Sequence, residues 1–143
     1  MQFSEKEILA LAKKYLKQRD HILEGPGHDC AFVKINHDKI IIATTDQLIE
    51  GIHYEPSCPI AKIARKLIAR NLSDIAAVGG GQNLFALCTV ALSPKGKKNS
   101  SIRNWFKAFF SALGQYSKNF KVSVCGGDIA KIARTDRTVL TLS

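Results

Sequence analysis

Residues Ile60–Leu92 read IAKIARKLIARNLSDIAAVGGGQNLFALCTVAL, and this stretch decides the fold class. Its first half carries Ile63, Leu67, Ile68, Leu72, Ile75 and Ala76 at the spacing of one helix face, which predicts a helix over Ile60–Val78. Gly79-Gly80-Gly81 stops that helix, because glycine takes the left-handed conformation with which helices commonly end. Asn83–Leu92 then reads as a buried strand. An apolar-faced helix running through glycines into a buried strand requires a sheet on which the helix can lie.

The flanks add elements of both kinds. Ser4 and Glu7 form an S-x-x-E capping box ahead of Ile8, Leu9, Leu11, Ala12, Tyr15 and Leu16, so an amphipathic helix is expected over Ser4–Arg19. Gly25-Pro26-Gly27 breaks it. Cys30–Ile35 and Lys39–Thr45 read as a hairpin turned at Asn36-His37-Asp38. Lys39–Thr45 is apolar on both faces, which predicts burial on both sides. Asp46–Pro59 reads as irregular, and Pro94–Ser101 as a lysine-rich loop. Ser101–Asn119 reads as a helix whose Trp105, Phe106, Phe109, Phe110 and Leu113 belong to the core. Lys121–Cys125 reads as a strand ended by Gly126-Gly127-Asp128, and Thr138–Leu142 as a further strand.

A chain of 143 residues fits one domain, and 45% hydrophobic with 23% charged residues excludes wholesale disorder. No apolar run approaches the roughly 20 residues of a membrane span, and the N-terminus has no signal layout, so a cytoplasmic location and no membrane partner are expected. Cys30, Cys58, Cys88 and Cys125 are widely spaced and read as free thiols, Cys88 and Cys125 as small core residues. The net charge of +9 points to anionic partners. The basic residues are scattered and match no nucleic-acid-binding motif, so a basic nucleic-acid-binding module is the secondary reading.

The acids carry more information than the bases. Asp29 follows Gly27-His28, Asp46 follows Thr44-Thr45, Asp74 lies in Asn71-Leu72-Ser73-Asp74, and Asp128 follows Gly126-Gly127. Carboxylates beside glycines and at strand ends suit Mg²⁺, a hard cation held by a few carboxylates together with substrate phosphates. Thr44 and Thr45 offer further oxygens. Asp74 lies among Leu72, Ile75 and Ala76, where an unpaired carboxylate is costly to bury. Two readings stay open for it: a cation ligand, or a helix-surface acid that faces solvent on the polar stripe or pairs with Arg70 four residues earlier.

Taken in order, GPGHDCAFV, TTDQLIEGIHY, ARNLSDIAAVGG and VCGGDI resemble the N-terminal domain of the thiamine-monophosphate kinases. These belong to the superfamily of aminoimidazole ribonucleotide synthetase and selenophosphate synthetase. The resemblance runs from Gly25 to Asp128. It implies an α+β domain, a mixed sheet of about four strands with helices on one face, that pairs into a homodimer through its sheet. It implies ATP-dependent phosphorylation of thiamine monophosphate to thiamine diphosphate, assisted by several Mg²⁺ ions and needing no protein general base. It further implies that Asp29, Thr44, Thr45, Asp46, Asp74 and Asp128 are metal ligands, that Gly127 and Asp128 lie against ATP, and that His53 touches the substrate. Residues 1–143 would then be the N-terminal domain, the family's C-terminal domain being absent, and the isolated domain would be inactive. Selenophosphate synthetase-like and hydrogenase maturation-like activities are the alternatives within the superfamily. His28 replaces an acid of the family pattern, Ile129 a threonine, Val78 a methionine and Tyr54 a phenylalanine.

Overall fold

The computed structural model describes residues 4–93, 99–132 and 137–143. In chain order the elements are α1 (Glu5–Tyr15), β1 (Ile22–Glu24), β2 (Ala31–Lys34), β3 (Ile40–Ala43), β4 (Asp46–Ile49), α2 (Ile60–Ala77), β5 (Phe85–Leu92), α3 (Asn99–Phe120), β6 (Ser123–Lys131) and β7 (Val139–Leu142). The expected α+β architecture is present: β4, β7, β5 and β6 form a mixed four-stranded sheet in that order. β5 and β6 run parallel, while β7 is antiparallel to both β4 and β5. Outside it, β1, β2 and β3 form a separate antiparallel sheet.

One face of the four-stranded sheet holds the core. β5 alternates, with Ala86, Cys88, Val90 and Leu92 buried while Phe85 and Leu87 are exposed. Leu48 of β4 and Leu140 and Leu142 of β7 join the buried side, against Ile63, Ala64, Leu67 and Ile68 of α2 and Phe109 and Leu113 of α3. Trp105 stacks on Phe109 with ring centroids 5.1 Å apart. Phe110 is exposed, so not every aromatic of α3 is core as expected. Helix α2 ends as its glycines predict, Gly79 and Gly80 taking φ of 99° and 83°.

Several expectations need correction. The strand β4 occupies part of the stretch expected to be irregular. Its D-Q-L-I sequence has no strong strand signal, and its partner β7 lies far along the chain. Gly126-Gly127-Asp128 does not end a strand: β6 runs through it, because Gly127 pairs closely against Cys88 of β5. β3 is not buried on both sides; Ile40 and Ile41 are exposed, since its sheet stands apart from the main one. Cys125 is exposed rather than core, whereas Cys88 is buried and its thiol is pushed up to about 11 by that burial. All four cysteines are free, as expected. The expected lysine-rich loop falls mainly on residues 94–98, outside the described residues.

The first helix stops at Tyr15 rather than Arg19, and none of its residues is buried. Its stability therefore rests on its own hydrogen bonds. The capping box is formed: Ser4 Oγ accepts from the Glu7 amide at 3.3 Å, and Glu7 Oε2 accepts from the Ser4 amide at 2.7 Å. The Ser4 amide and then the Ser4 hydroxyl, both donating to Glu7 Oε2, hold the Glu7 carboxyl below its usual range. A Ser4→Ala substitution is expected to weaken α1 by about 1 kcal/mol. Amide hydrogen exchange should detect this as faster exchange within α1 and unchanged protection in β5.

Candidate active site

The junction between the two sheets is residues 44–45, which join β3 to β4. Helix α2 passes beside it. Arg70 and Asp74 are four residues apart and so share a helix face. Each reaches a different part of the junction. Thr44 Oγ1 donates to Asp74 Oδ2 at 2.7 Å and lies 3.1 Å from the backbone oxygen of Asp29. A hydroxyl has one proton, and the shorter contact to a carboxylate takes it. Arg70 grips Asp46 at two points, Nη2 to Oδ1 at 2.7 Å and Nε to Oδ2 at 3.1 Å. The pairing of Asp74 with Arg70 is not formed: Arg70 is bound to Asp46, and Asp74 accepts from Thr44.

Asp29 precedes β2, and the buried Cys30 beside it senses both acids. Burial pushes the Cys30 thiol up, and the charges of Asp74 and then Asp29 push it further. Three strings from separate parts of the chain thus meet here: Asp29 from GPGHD, Thr44 from TTD and Asp74 from NLSD. Thr45 turns the other way, its Oγ1 lying 2.8 Å from Ser143 Oγ beyond β7. An apolar cavity of about 400 Å³ adjoins Thr44, lined by Ile40, Ile42, Asn71, Ile75 and Leu87 among others.

His53 and Asp128 stand apart from this cluster. His53 follows the far end of β4, about 10 Å of strand from Asp46 at 3.3 Å per residue. Its Nδ1 accepts from the Ile49 amide at 2.9 Å, which puts the neutral ring's proton on Nε2. Lys66 of α2 donates to the His53 backbone oxygen and ties this turn to the helix. Asp128 pairs with the exposed Thr89 in the β5–β6 register, on the face away from the helices. Asp46 shares the helix-side face with Leu48. Gly127 lies over the Cys88 backbone. His28, which replaces a family acid, is an exposed loop residue whose ring meets Phe32 edge-on at 5.5 Å.

The fit of a divalent cation can be judged from the donor set. Asp29, Thr44 and Asp74 supply carboxylate, hydroxyl and carbonyl oxygens, the hard donors that Mg²⁺ prefers. Among the described residues no three His, Cys, Asp or Glu side chains already converge in metal-binding geometry. The cluster is therefore suited in chemistry to a cation shared with phosphate oxygens rather than to an all-protein cage. The part played by Arg70 was the least legible in the sequence. Its place four residues before Asp74 was the available signal.

A two-layer α+β domain with an oxygen-donor cluster where its two sheets join is the class defined by this fold and site. The chain belongs to the AIR synthase related protein family, whose N-terminal domain model matches residues 27–143. Among curated proteins it is similar to the thiamine-monophosphate kinase of Methanocaldococcus jannaschii, 30% identical over 125 residues, covering 87% of this chain and 38% of that protein. It is also similar to the thiamine-monophosphate kinase of Escherichia coli K12, 31% identical over 128 residues, covering 87% of this chain and 37% of that protein. Among solved structures, AaThiL complexed with AMPPCP and TMP superposes with a TM-score of 0.77 at 28% identity, covering 96% of this chain and 40% of that chain. The chain thus spans less than half the length of these relatives. Among the described residues no helix is long and apolar enough to cross a membrane.

Proposed function

We propose that this chain is the nucleotide- and cation-binding part of a thiamine-monophosphate kinase, which transfers the γ-phosphoryl group of ATP to thiamine monophosphate. The observation that carries this reading is the 2.7 Å contact of Thr44 with Asp74 beside the Asp29 backbone. It brings together three of the motif strings on which the family likeness rests. The AMPPCP and TMP held by AaThiL support the choice of both substrates.

In this reading Asp29, Thr44, Thr45, Asp46, Asp74 and Asp128 supply oxygens to Mg²⁺, and Gly127 and Asp128 meet the nucleotide. Asp29, Thr44 and Asp74 form the nucleus of that set. When bound, Mg²⁺ neutralises phosphate charge and stabilises the oxygens of the transferring group. The protein's own part is positional. Thr44 fixes the Asp74 carboxylate by donating to one of its oxygens, leaving the other for a cation. His53, with its proton on Nε2, is a donor for a substrate phosphate oxygen. The attacking phosphate oxygen is already ionised at neutral pH, so no side chain has to remove a proton.

A homodimer through the sheet is part of the same proposal. Phe85 and Leu87 are 65% and 47% exposed on the same face of β5, which supports a covered face. The free thiols suit a reducing compartment, which supports a cytoplasmic location. Calorimetry with AMPPCP tests the binding core of the proposal. Saturable binding with Mg²⁺ and its loss under a chelator are expected; equal binding in both conditions would refute it.

A further inference from the structure

We propose that Arg70 is a built-in counter-cation of the site, which holds Asp46 until a divalent cation takes that carboxylate and then turns to the phosphates. This rests on the nucleotide-and-cation reading above. Several observations support it. The guanidinium engages both Asp46 oxygens, leaving that carboxylate no oxygen without a charged partner. An arginine fork matches phosphate oxygens as well as it matches a carboxylate. The Arg70 side chain is 38% exposed against 20% for Asp46, so the guanidinium can leave without opening the core. Hydrogen bonding to Asp46 strengthens the hold of Arg70 on its proton, and the charges of Asp46 and Asp74 add to it. The guanidinium therefore lies in the field of both carboxylates. Finally, Arg70 and Asp74 sit four apart on α2, so the helix that presents one proposed ligand also presents the cation that neutralises the other.

The exchange needs no bond to be made or broken. A divalent cation competes with Arg70 for Asp46, so Mg²⁺ alone binds weakly. A nucleotide arriving with the cation gives the released guanidinium a new anion. Cation and nucleotide binding are thereby coupled through one side chain, and each must favour the other by the same factor. Without Arg70, Asp46 is open and the site more negative, so the cation alone binds better while the nucleotide loses a partner.

The test is calorimetry on the full chain with two probes, Mg²⁺ alone and AMPPCP in saturating Mg²⁺. Arg70→Met is expected to tighten Mg²⁺ binding by about tenfold and to weaken AMPPCP binding by about tenfold, the scale of one charge-assisted two-point contact. Arg70→Lys keeps the charge but gives up the fork. It should shift both affinities in the same directions by smaller factors, and it carries the test alone if the methionine variant does not fold. Mg²⁺ affinity unchanged or weakened in a variant that still binds AMPPCP overturns the role of Arg70 and leaves the nucleotide reading standing. Failure of the unmodified chain to bind AMPPCP in the presence of Mg²⁺ overturns both.

Discussion

Replacing Gly127 with alanine is expected to destabilise the domain severely. A Cβ built at this position would lie 1.7 Å from the Cys88 backbone oxygen and 2.5 Å from its carbonyl carbon. Both atoms belong to the backbone of β5 in the middle of the sheet, so neither can rotate away. The residue's φ of 151° is also one that side-chain-bearing residues rarely adopt. Overpacking and backbone strain each cost on the order of 1–3 kcal/mol, so a combined loss of about 4 kcal/mol is expected. A domain of this kind has about 5–15 kcal/mol in all. In urea the unfolding midpoint should fall by about 2 M. Gly114 of α3 is the contrasting case, since a Cβ there meets nothing within 4 Å. Gly114→Ala should raise the midpoint, by up to about 1 kcal/mol of helix propensity. Equal effects at the two glycines would contradict this account of the β5–β6 pairing.

Asp74→Asn is expected to abolish most cation-dependent nucleotide binding while leaving the fold intact. The amide keeps the size of the carboxylate, and its oxygen can still accept from Thr44, so the packing around α2 has little cause to change. It loses the negative charge that draws the cation. Substitutions that merely reorient a metal ligand cost roughly 10–100-fold in affinity, so removing the charge of one should cost about 100-fold. Calorimetry with AMPPCP and Mg²⁺ reads this directly, and an unchanged urea midpoint separates it from a folding defect. Unchanged affinity would remove Asp74 from the proposed ligand set. Asp128→Asn offers a comparison from the other face of the sheet, away from the Thr44–Asp74 contact.

Much of the fold was legible because its main signals are local. The capping box at Ser4, the apolar face of α2 and the glycines that end it all act within a few residues, and each appears where the sequence placed it. The elements that escaped depend on distant partners. β4 has few strand-forming residues and is a strand because β7 pairs with it. β6 continues through Gly126-Gly127-Asp128 because β5 lies close enough to need a residue without a side chain. The same division runs through the site. The acids were visible as types beside glycines and strand ends, but the pairing of Arg70 with Asp46 rather than Asp74 depends on how α2 crosses the sheet junction. His53 and Asp128 could be named from motif strings, yet their distance from the Thr44–Asp74 contact is a property of the folded sheet alone.

The placement of β7 between β4 and β5 bears on how the molecule comes into being. Thr45 and Ser143, which meet at 2.8 Å, are 98 residues apart in the chain. During synthesis β4 leaves the ribosome long before the strand that will flank it, and until then it has no strand neighbour in its sheet. Pairings across such separations are slow to form, because a long loop must close before any contact repays it. The hairpin of β2 and β3 and the α2–α3 pair can form early. Asp46 is brought into line only once β7 is made, so the centre that would handle charge is among the last parts of the molecule to be built.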